Sequence, residues 1–535
     1  MNRIKLLLAS TVIAAFFAVP SVASAVSVNL TNWSPGRTSD SQAGQWQSVA
    51  VNPTNGNQLV AFRQDDGTPK YSAGVWTPSG ATVGSLVDLA TGSDVAPTYS
   101  TPVGAYNPKT GGWMVVYYDY DIAEYKAQLL SANGALSGSA QVISAAPGVS
   151  CCSNPDIAWD SAKQQFFVAW GDYGNTDDDA PQGRFVNPTT GAPVGAAPIE
   201  LVTNASDFVW DDYHSLQVAY SSKQDGFGVM FRGKLQAGGE WRPYFLRLNA
   251  NGEPIGTPQM ISSGTDQEIS NGSITYSKSS NRYAVAWADY DETGKPVVVQ
   301  RINAATGASV GDPVAQPMPS SAASGRYRIR IEANEFESGY VIVTHAGNND
   351  NQTNEIAALW LDSSAQPVGT PGWVSGDVSG AQRPQVAFDR HSGCFRVTTV
   401  GEDAATQTYW DIYSTEIGTS GLEGCSSPPP SGKKKPTLKK SGNAGSTSLR
   451  VKVGCGGASA CRVKLSGKLK GGSGKLQGKT VKVKAGKKKT VTLAYTSALI
   501  SERSGRSGAK IRVTAKQVGG RSRTITVAVP DSVTG

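Results

Sequence analysis

A short apolar segment recurs along the first four hundred residues. In most copies an aromatic residue is followed two places later by an aliphatic residue, and often by a second aromatic. The seven copies are NQLVAF (57–62), WMVVYYDYD (113–121), FFVAWGDYG (166–174), FGVMF (227–231), YAVAWADYD (283–291), YVIVTHAGN (340–348) and FRVTTVGED (395–403). The aligned aliphatic residues lie 53–61 residues apart and are Val60, Val115, Val168, Val229, Val285, Ile342 and Val397. This spacing indicates an internal repeat.

Each copy also contains three other strand-like segments separated by turn residues. A short strand such as PDIAWD or PQVAFD precedes a turn such as NPTNGN, NPKTGG or DRHSG, and two further strands follow the apolar one. Four short strands per repeat, in seven repeats, predict an all-β chain with a seven-bladed β-propeller. The seventh copy ends at its third strand (411–418), so we expect the segment 27–33 to complete it and close the ring.

The last hundred residues show a different pattern. Segments such as TSLRVKVGC, CRVKLSGKL and RTITVAV alternate aliphatic with basic or polar residues, which predicts strands with one buried and one solvated face. Five or more such strands predict a small β-sandwich. The predicted organisation is a signal peptide (1–25), the propeller (26–420), a Pro/Lys-rich linker (421–436) and the basic sandwich (437–535).

The propeller repeat, written F-x-V-x-W-x-D-Y and followed by Q-R-[IL]-x-x-x-G-x-x-V/I-G, resembles repeats of secreted bacterial propeller proteins. The resemblance covers roughly residues 27–420, and the C-terminal segment resembles the immunoglobulin-like domains of such proteins. It implies a fold, and little chemistry, because propellers include hydrolases, lyases, lectins and scaffolds. The sialidase pattern S-x-D-x-G-x-T-W is absent from the sequence.

Charge is divided unevenly between the two regions. Residues 431–535 contain 25 Lys and Arg and 2 Asp and Glu, a net charge of +23, so the rest of the chain carries −16 of the total of +7. The basic region predicts binding to an anionic cell-envelope polymer or polysaccharide. The alternative is a solvated face that keeps the sandwich soluble. Tyr495 is its one aromatic residue, so specific nucleic-acid binding is not expected.

The chain start has Arg3 and Lys5, then an apolar stretch and Ala23-Ser24-Ala25, which is typical of a secretory signal. No later run of apolar residues is long enough to span a membrane. The protein is therefore expected to be a secreted, extracellular or cell-surface monomer without a transmembrane segment.

The fold resemblance also implies where a ligand would bind. In propellers, the loop after the second strand and the connection between repeats surround the central channel on one face. That criterion selects a set of candidate ligand-face residues: Cys151, Cys152, Trp210, Tyr213, Arg326, Arg328 and His345. For Trp210 and Tyr213, packing in the core or at the rim is the favoured alternative to a carbohydrate platform. Asp211, Asp212 and His214 have no counterpart in other copies, which makes them weak candidates for catalysis.

Acidic residues gather on the same predicted face. The candidates for a metal site are Asp119, Asp121, Asp172, Asp289 and Asp291. Clustered carboxylates can bind Ca²⁺, and they can also act as an acid/base pair on sugars. Three of them share one repeat position, however, and a repeated Asp is more typical of a turn-forming residue that serves the repeat itself. No cofactor other than Ca²⁺ is expected.

Six cysteines in an exported protein imply disulfides. Cys455 and Cys461 bracket a short loop and are expected to pair, and Cys394–Cys425 would fix the exit of the chain to the seventh repeat. Cys151 and Cys152 then remain for each other. Adjacent Cα atoms are about 3.8 Å apart, below the usual disulfide range of about 4.4–6.8 Å, so such a bond would be strained. The alternative joins this pair to Cys394 or Cys425.

Three functions remain open from the sequence. The favoured hypothesis is a non-catalytic binding or adhesion-type protein, in which the propeller presents a ligand face and the basic domain tethers it to an anionic polymer. The second is an extracellular glycan-active hydrolase or lyase on a propeller scaffold. The third is a purely structural surface protein.

Peptide mapping by mass spectrometry without reduction tests the cysteine assignment. We expect Cys151 and Cys152 to be linked within one peptide, because the other four cysteines pair by position. A peptide that joins residue 151 or 152 to residue 394 or 425 would contradict this assignment.

Overall fold

The structure is a computed structural model. It describes residues 31–32, 46–66, 68–96, 100–144, 154–171, 181–202, 208–210, 216–235, 240–262, 269–289, 297–317, 328–336, 338–346, 355–375, 378–403, 410–418, 437–440, 448–454, 461–470, 472–484, 487–503, 510–517 and 522–528. Within these ranges the chain is nearly all-β, with a 3₁₀ turn at Gly92–Asp94 and one α-helix, α1, at Ser497–Arg503. Neither described helix is long and apolar enough to cross a membrane.

Seven antiparallel sheets account for the described part of the chain before residue 419. The first strand, β1, is Thr31–Asn32. Sheet 1 contains β2–β5, at Trp46–Val51, Gln58–Asp66, Thr68–Trp76 and Val87–Thr91. Sheet 2 contains β6–β9, at Val103–Asn107, Gly112–Asp119, Glu124–Leu130 and Leu136–Val142. Sheet 3 contains β10–β13, at Asp156–Asp160, Gln165–Trp170, Gln182–Val186 and Pro193–Glu200.

The remaining four sheets of this region repeat the arrangement. Sheet 4 contains β14–β18, at Phe208–Trp210, Gln217–Ser221, Gly226–Leu235, Arg242–Leu248 and Pro254–Met260. Sheet 5 contains β19–β22, at Ile269–Ser277, Arg282–Asp289, Val297–Asn303 and Val314–Gln316. Sheet 6 contains β23–β26, at Ile329–Ala333, Gly339–Ala346, Glu355–Asp362 and Gly372–Trp373. Sheet 7 contains β27–β29, at Val378–Asp389, Cys394–Asp403 and Trp410–Ile417, and β1 pairs with β29 as its fourth strand.

The seven sheets form a closed ring. One strand of each sheet contacts the corresponding strand of the next sheet, and the last contacts the first. These inner strands are β2, β6, β10, β15, β19, β23 and β27. In each inner strand one residue pairs with the aligned aliphatic residue that defines the sequence repeat; these register residues are Val49, Gly104, Ile157, Val218, Ile274, Ile331 and Val386. The fold is therefore propeller-like, as the repeat predicts.

A buried polar residue begins the turn after each inner strand. It stands three places after the register residue, and its side chain accepts a hydrogen bond from a backbone N–H of the turn. The seven residues are Asn52, Asn107, Asp160, Ser221, Ser277, Asn334 and Asp389. Asn, Asp and Ser make such turns locally, which explains their recurrence in the predicted turns.

Hydrophobic clusters fill the spaces between neighbouring sheets. Trp170 packs with residues of sheet 2, and Trp287 packs with residues of sheet 4. Between sheets 7 and 1, Val400 and Ile412 pack with Phe62. Corresponding clusters lie at the other junctions. The large aromatic residues of the second strands are thus core residues that join adjacent sheets.

Side chains also link the inner strands, which would otherwise expose an unpaired edge. A hydrogen bond crosses every junction between adjacent sheets. In ring order the pairs are Ser48 Oγ with Gly104 N (3.0 Å), Asn154 Oδ1 with Thr101 N (2.8 Å), Asp156 Oδ2 with Val218 N (2.7 Å), Ser273 Oγ with Gln217 Oε1 (3.4 Å), Ser273 Oγ with Ile331 N (3.2 Å), Arg330 Nε with Gln385 Oε1 (2.8 Å) and Gln47 Nε2 with Arg383 O (2.7 Å). Five of these bonds reach a backbone N–H or carbonyl of the neighbouring sheet, and the other two join side chains. They satisfy part of the inner edges of the strands.

Two further sheets follow residue 436. Strands β30–β33 are Thr437–Lys440, Ser448–Gly454, Cys461–Leu469 and Lys479–Val483, and β34–β36 are Lys488–Ala494, Lys510–Gln517 and Ser522–Ala528. Sheet 8 has the order β30-β31-β34 and sheet 9 the order β33-β32-β35-β36. Both contribute to one hydrophobic core that includes Leu449 and Val463. Arg450 and Lys452 alternate with buried neighbours and are exposed, which confirms the predicted alternation.

Cys394 is buried and disulfide-bonded. Its partner is not among the side chains that the structure describes. Cys151, Cys152, Cys425 and Cys455 lie outside the described residues, as does the side chain of Cys461. The three predicted pairings therefore remain predictions.

Replacement of Ser273 by Ala tests the inner hydrogen bonds. The variant leaves the buried N–H of Ile331 without its acceptor, so we expect the free energy of unfolding to fall by about 1–3 kcal/mol. Ser222→Ala, at an exposed turn position, is the matched control and should change stability little. Equal urea midpoints for the two variants would contradict a stabilising role for this bond.

Candidate functional site

The inner strands enclose a central cavity of about 370 Å³. All seven of them contribute residues to its wall. A cavity of this size is large enough for a small ligand such as a saccharide unit. It is therefore the candidate functional site.

The wall consists of three rows, because residues two apart on a strand point to the same side. The middle row precedes each register residue by one place and contains Ser48, Val103, Asp156, Gln217, Ser273, Arg330 and Gln385. The upper row lies two places earlier and includes Thr101, Asn154, Arg328 and Arg383. The lower row follows the register residue and includes Ala50, Ala105, Glu332 and Ala387.

Charged residues break the repeat at sheets 3, 6 and 7. Sheet 6 alone contributes Arg328, Arg330 and Glu332 to the wall, one to each row. Glu332 occupies a position that is Ala in five other sheets and Thr275 in sheet 5. A residue that departs from its repeat equivalents cannot be required by the repeat geometry, so these departures mark a specialised sector of the cavity.

Asp156 lies deep in the ring, with part of its side chain facing the cavity. Its carboxylate accepts a hydrogen bond from the backbone N–H of Val218 at 2.7 Å. Burial raises the pKa of Asp156 to about 6, against the opposing effects of backbone N–H groups and of Arg330. The carboxyl is therefore mostly ionised at pH 7 and takes up a proton as the pH falls through about 6.

Glu332 lies on the lower row, and its pKa is raised further from its usual value than that of Asp156. Burial raises the pKa of Glu332 to about 8, and the nearby Glu335 adds to that rise. Arg390 and a hydrogen bond with Thr275 act in the opposite direction. At pH 7 this carboxyl is therefore mostly protonated and neutral.

Three arginine residues face the cavity from adjacent sheets. Arg330 donates to Gln385 at 2.8 Å and to the carbonyl of Ile329 at 2.9 Å. Burial lowers the pKa of Arg330, and Asp156 raises it, but a guanidinium remains charged at neutral pH. Together with Arg328 and Arg383 it gives the sector formed by sheets 6 and 7 a positive charge.

Arg383 has an unusual backbone conformation. Its φ is 54°, and the pairing of β27 with β28 shifts register between Gln382 and Gln385. The other non-glycine residues with positive φ in the described chain stand in turns, whereas Arg383 stands inside a strand. Its carbonyl accepts a hydrogen bond from Gln47. Bulges of this kind redirect a side chain, and here the redirected side chain is in the cavity wall.

The structure brings one predicted ligand-face residue, Arg328, into the cavity wall. His345 is buried in β24, where its backbone N–H donates to the carbonyl of Arg328 at 3.3 Å, and it is not among the residues of the wall. The other predicted ligand-face and catalytic side chains lie outside the described residues: Cys151, Cys152, Trp210, Asp211, Asp212, Tyr213, His214 and Arg326. Only the backbone of Trp210 is described, at the end of β14.

Two of the predicted metal candidates have described side chains. Asp119 is buried, pairs with Lys126 and accepts from the backbone N–H of Ile122, so it holds the turn between β7 and β8. Asp121 is exposed. The side chains of Asp172, Asp289 and Asp291 lie outside the described residues. Within the described chain, no three His, Cys, Asp or Glu side chains are grouped as a metal ion would require.

Sequence reasoning missed four residues of the wall, namely Asp156, Arg330, Glu332 and Arg383. The signal that could have identified the first three is a column-by-column comparison of the first strands of the repeats. There, Asp156 stands in PDIAWD where the seventh copy has Gln385 in PQVAFD. Arg383 had no such signal, because its position depends on the bulge in β27.

No protein-family model matches the chain, and no curated protein matches it. Several solved structures are similar to this chain at a low level. The Dos1 propeller is 10% identical with a TM-score of 0.41, and the match covers 72% of this chain and 95% of that one. A puromycin hydrolase is 13% identical (TM-score 0.44, covering 79% and 61%), and an exo-β-1,3-galactanase from Phanerochaete chrysosporium is 10% identical (TM-score 0.32, covering 78% and 92%). Similarity this low says nothing about the chemistry of this chain.

The pH dependence of stability tests the environment of Glu332. Between pH 4.5 and about 8 the folded protein keeps a proton that the unfolded chain releases. The free energy of unfolding should therefore fall as pH rises through this window, by at most about 1.4 kcal/mol per pH unit. Glu332→Gln should flatten the profile measured by urea denaturation from pH 5 to 8, whereas the exposed control Asp312→Asn should not. An unchanged slope in Glu332→Gln would contradict the shifted pKa.

Proposed function

We propose that the seven sheets are the blades of a seven-bladed β-propeller (residues 26–420) and that sheets 8 and 9 form an immunoglobulin-like sandwich (437–535). The shared register of the inner strands and the hydrophobic cluster at each junction support the first assignment. The single core between two antiparallel sheets supports the second. On this proposal the protein is a secreted monomer, and the linker at 421–436 joins the two domains.

The function that the cavity supports best is non-catalytic binding of a ligand that carries a carboxylate. One observation carries this proposal: Arg328, Arg330 and Arg383 line the same cavity. Guanidinium groups bind carboxylates through paired, charge-assisted hydrogen bonds. Of the two carboxyls in the wall, Glu332 is mostly neutral at pH 7 because its pKa is raised to about 8, so Asp156 is the one that opposes the three guanidinium charges.

The rest of the wall is suited to a sugar. Gln47, Gln217 and Gln385 offer amide groups, and Ser48 and Ser273 offer hydroxyls. Amides and hydroxyls both donate and accept hydrogen bonds, as the hydroxyls of a saccharide do. A uronic-acid unit combines a carboxylate with several hydroxyls, so an acidic saccharide is the proposed ligand class. The basic sandwich acts in this proposal as a tether to an anionic envelope polymer.

A second candidate is a glycan-active enzyme. Asp156 and Glu332 line the same cavity with separated pKa values of about 6 and about 8, a property that acid/base pairs share. Binding is favoured because the wall holds three arginine residues against these two carboxyls, each of which also bonds within the ring. Asp156 accepts the N–H of Val218, and Glu332 bonds with Thr275.

Titration with uronic-acid oligosaccharides, with neutral oligosaccharides of equal length as comparison, tests the binding proposal. Arg328→Gln and Arg383→Gln should each weaken binding of the acidic series by about 10-fold or more, because each removes a charge-assisted hydrogen bond. Lys109→Gln, an exposed cation at the turn after β6, should bind as the parent protein does.

Equal affinity for acidic and neutral oligosaccharides, unchanged by the arginine variants, would overturn the binding proposal. Turnover of these oligosaccharides distinguishes the enzyme. Product release that is lost in both Asp156→Asn and Glu332→Gln would establish catalysis in the cavity in place of simple binding.

A further inference from the structure

The C-terminal sheets expose an unusually dense set of cations. Of the described side chains after residue 436, fifteen exposed ones are basic: Lys439, Arg450, Lys452, Lys464, Lys468, Lys470, Lys475, Lys479, Lys482, Lys484, Lys487, Lys488, Lys489, Lys510 and Arg512. The sequence from 431 to 535 holds two acidic residues, Glu502 and Asp531. Pairing within this region therefore cannot neutralise the cations.

Like charges also stand directly opposite each other across strands. On sheet 8, Lys439 pairs in register with Lys452. On sheet 9, Lys468 pairs with Arg512, and Lys475 flanks Lys468 on its other side. Directly opposed like charges destabilise a sheet, and adjacent strands are only about 4.8 Å apart. Solubility alone does not require such an arrangement, since acidic residues would serve it equally well.

A depression of about 500 Å³ adjoins the row on sheet 9. Its lining includes Lys468, Lys470 and Arg512, together with Gly472 and Ser473 of the neighbouring turn. Three cations around one concave surface form a site for an anionic group. The outer surface of sheet 8 offers the exposed side chains of Lys439, Arg450 and Lys452.

The two cationic surfaces lie on opposite sides of the sandwich. Leu449, Val451 and Val453 of sheet 8 and Val463 and Leu465 of sheet 9 share one core between the sheets. The side chains that alternate with them must then point away from each other. A planar bilayer can contact one of these surfaces at a time, whereas a flexible polymer can pass around the domain and contact both.

Other features of the domain argue against a membrane or nucleic acid as the partner. Ile500 is the one large apolar side chain described as exposed after residue 436, so an apolar face that could enter a bilayer is missing there. Tyr495 is the one aromatic residue of the domain, and it is buried, so it offers no platform for stacking bases.

We infer that the sandwich binds a linear anionic polysaccharide that wraps around both sheets, with Lys439 and Lys452 on one face and Lys468 and Arg512 on the other. The inference rests on the tether in the proposed function and specifies its partner and contact residues. The anionic groups of the polymer relieve the repulsion between the opposed cations. Binding should consequently be strong at low salt and should weaken steeply as salt screens the charges.

Dextran sulfate is the probe for this inference, and binding by the full mature protein is measured from low to high salt. Lys439→Gln/Lys452→Gln and Lys468→Gln/Arg512→Gln should each weaken binding about tenfold at low salt and reduce its salt dependence. The variant that combines all four substitutions should bind dextran sulfate more weakly by the product of the two fold-changes. Lys223→Gln/Lys278→Gln, which removes two exposed cations from the ring, is the matched control and should bind as the parent does.

Several results would overturn the inference. Binding that depends on one face alone would exclude wrapping, and tighter binding to phosphatidylglycerol vesicles or duplex DNA than to dextran sulfate would identify another class of partner. Thermal midpoints that are unchanged, or raised because the opposed charges are removed, show that lost binding is not lost folding. Oligosaccharide binding in the cavity is measured on the same variants. If the variants lose dextran sulfate binding but still bind oligosaccharides in the cavity, the lost contact lies in the sandwich. If they keep dextran sulfate binding while oligosaccharide binding fails, the cavity proposal is wrong and the polymer inference is not.

Discussion

The unpaired inner edge of each sheet is the constraint on which this structure depends. An inner strand bonds to its own sheet on one side only, and its other edge faces the middle of the ring. Side-chain hydrogen bonds cross every junction, and several of them satisfy backbone groups of that edge, as Ser48, Asp156 and Ser273 do for the N–H groups of Gly104, Val218 and Ile331. Hydrophobic clusters hold the sheets together farther out. The ring is thus closed by apolar packing outside and polar contacts inside.

This constraint governs the chemistry of the cavity. The side chains that join the sheets also line the cavity. Residues that bind a ligand must therefore stand at positions where one sheet can differ from its repeat equivalents. Sheet 6 departs most from its repeat equivalents. Glu332 stands where five other sheets have alanine, and Arg330 still makes the bond to the next sheet, through Gln385. The cavity uses arginine for its positive charge, whereas the exposed sheets of the C-terminal domain use lysine almost throughout. The planar guanidinium group of arginine suits one carboxylate in a fixed position. The flexible ammonium group of lysine suits a polymer that carries many anionic groups.

Much of the fold could be predicted from local patterns. The aliphatic residues from Val60 to Val397 occupy equivalent register positions, and the predicted turns NPTNGN, NPKTGG and DRHSG begin at Asn52, Asn107 and Asp389. These features depend on neighbours in sequence. The composition of the cavity depends on residues far apart in the sequence, because Asp156 and Arg330 interact electrostatically only when the ring closes. His345 shows the limit of position-based reasoning, since its repeat position predicted a ligand face and its side chain is buried in the sheet.

The pairing of β1 with β29 has a mechanical consequence. In the sequence, β29 is the last strand of the ring before the C-terminal sheets, so tension on those sheets would enter the ring through that strand. β29 lies between β28 and β1, and a pull along its axis would load the hydrogen bonds of both ladders in shear, many at once. Shear distributes force over all the bonds, whereas peeling breaks them one by one. The N-terminal strand therefore reinforces the ring at the point where an external load would arrive.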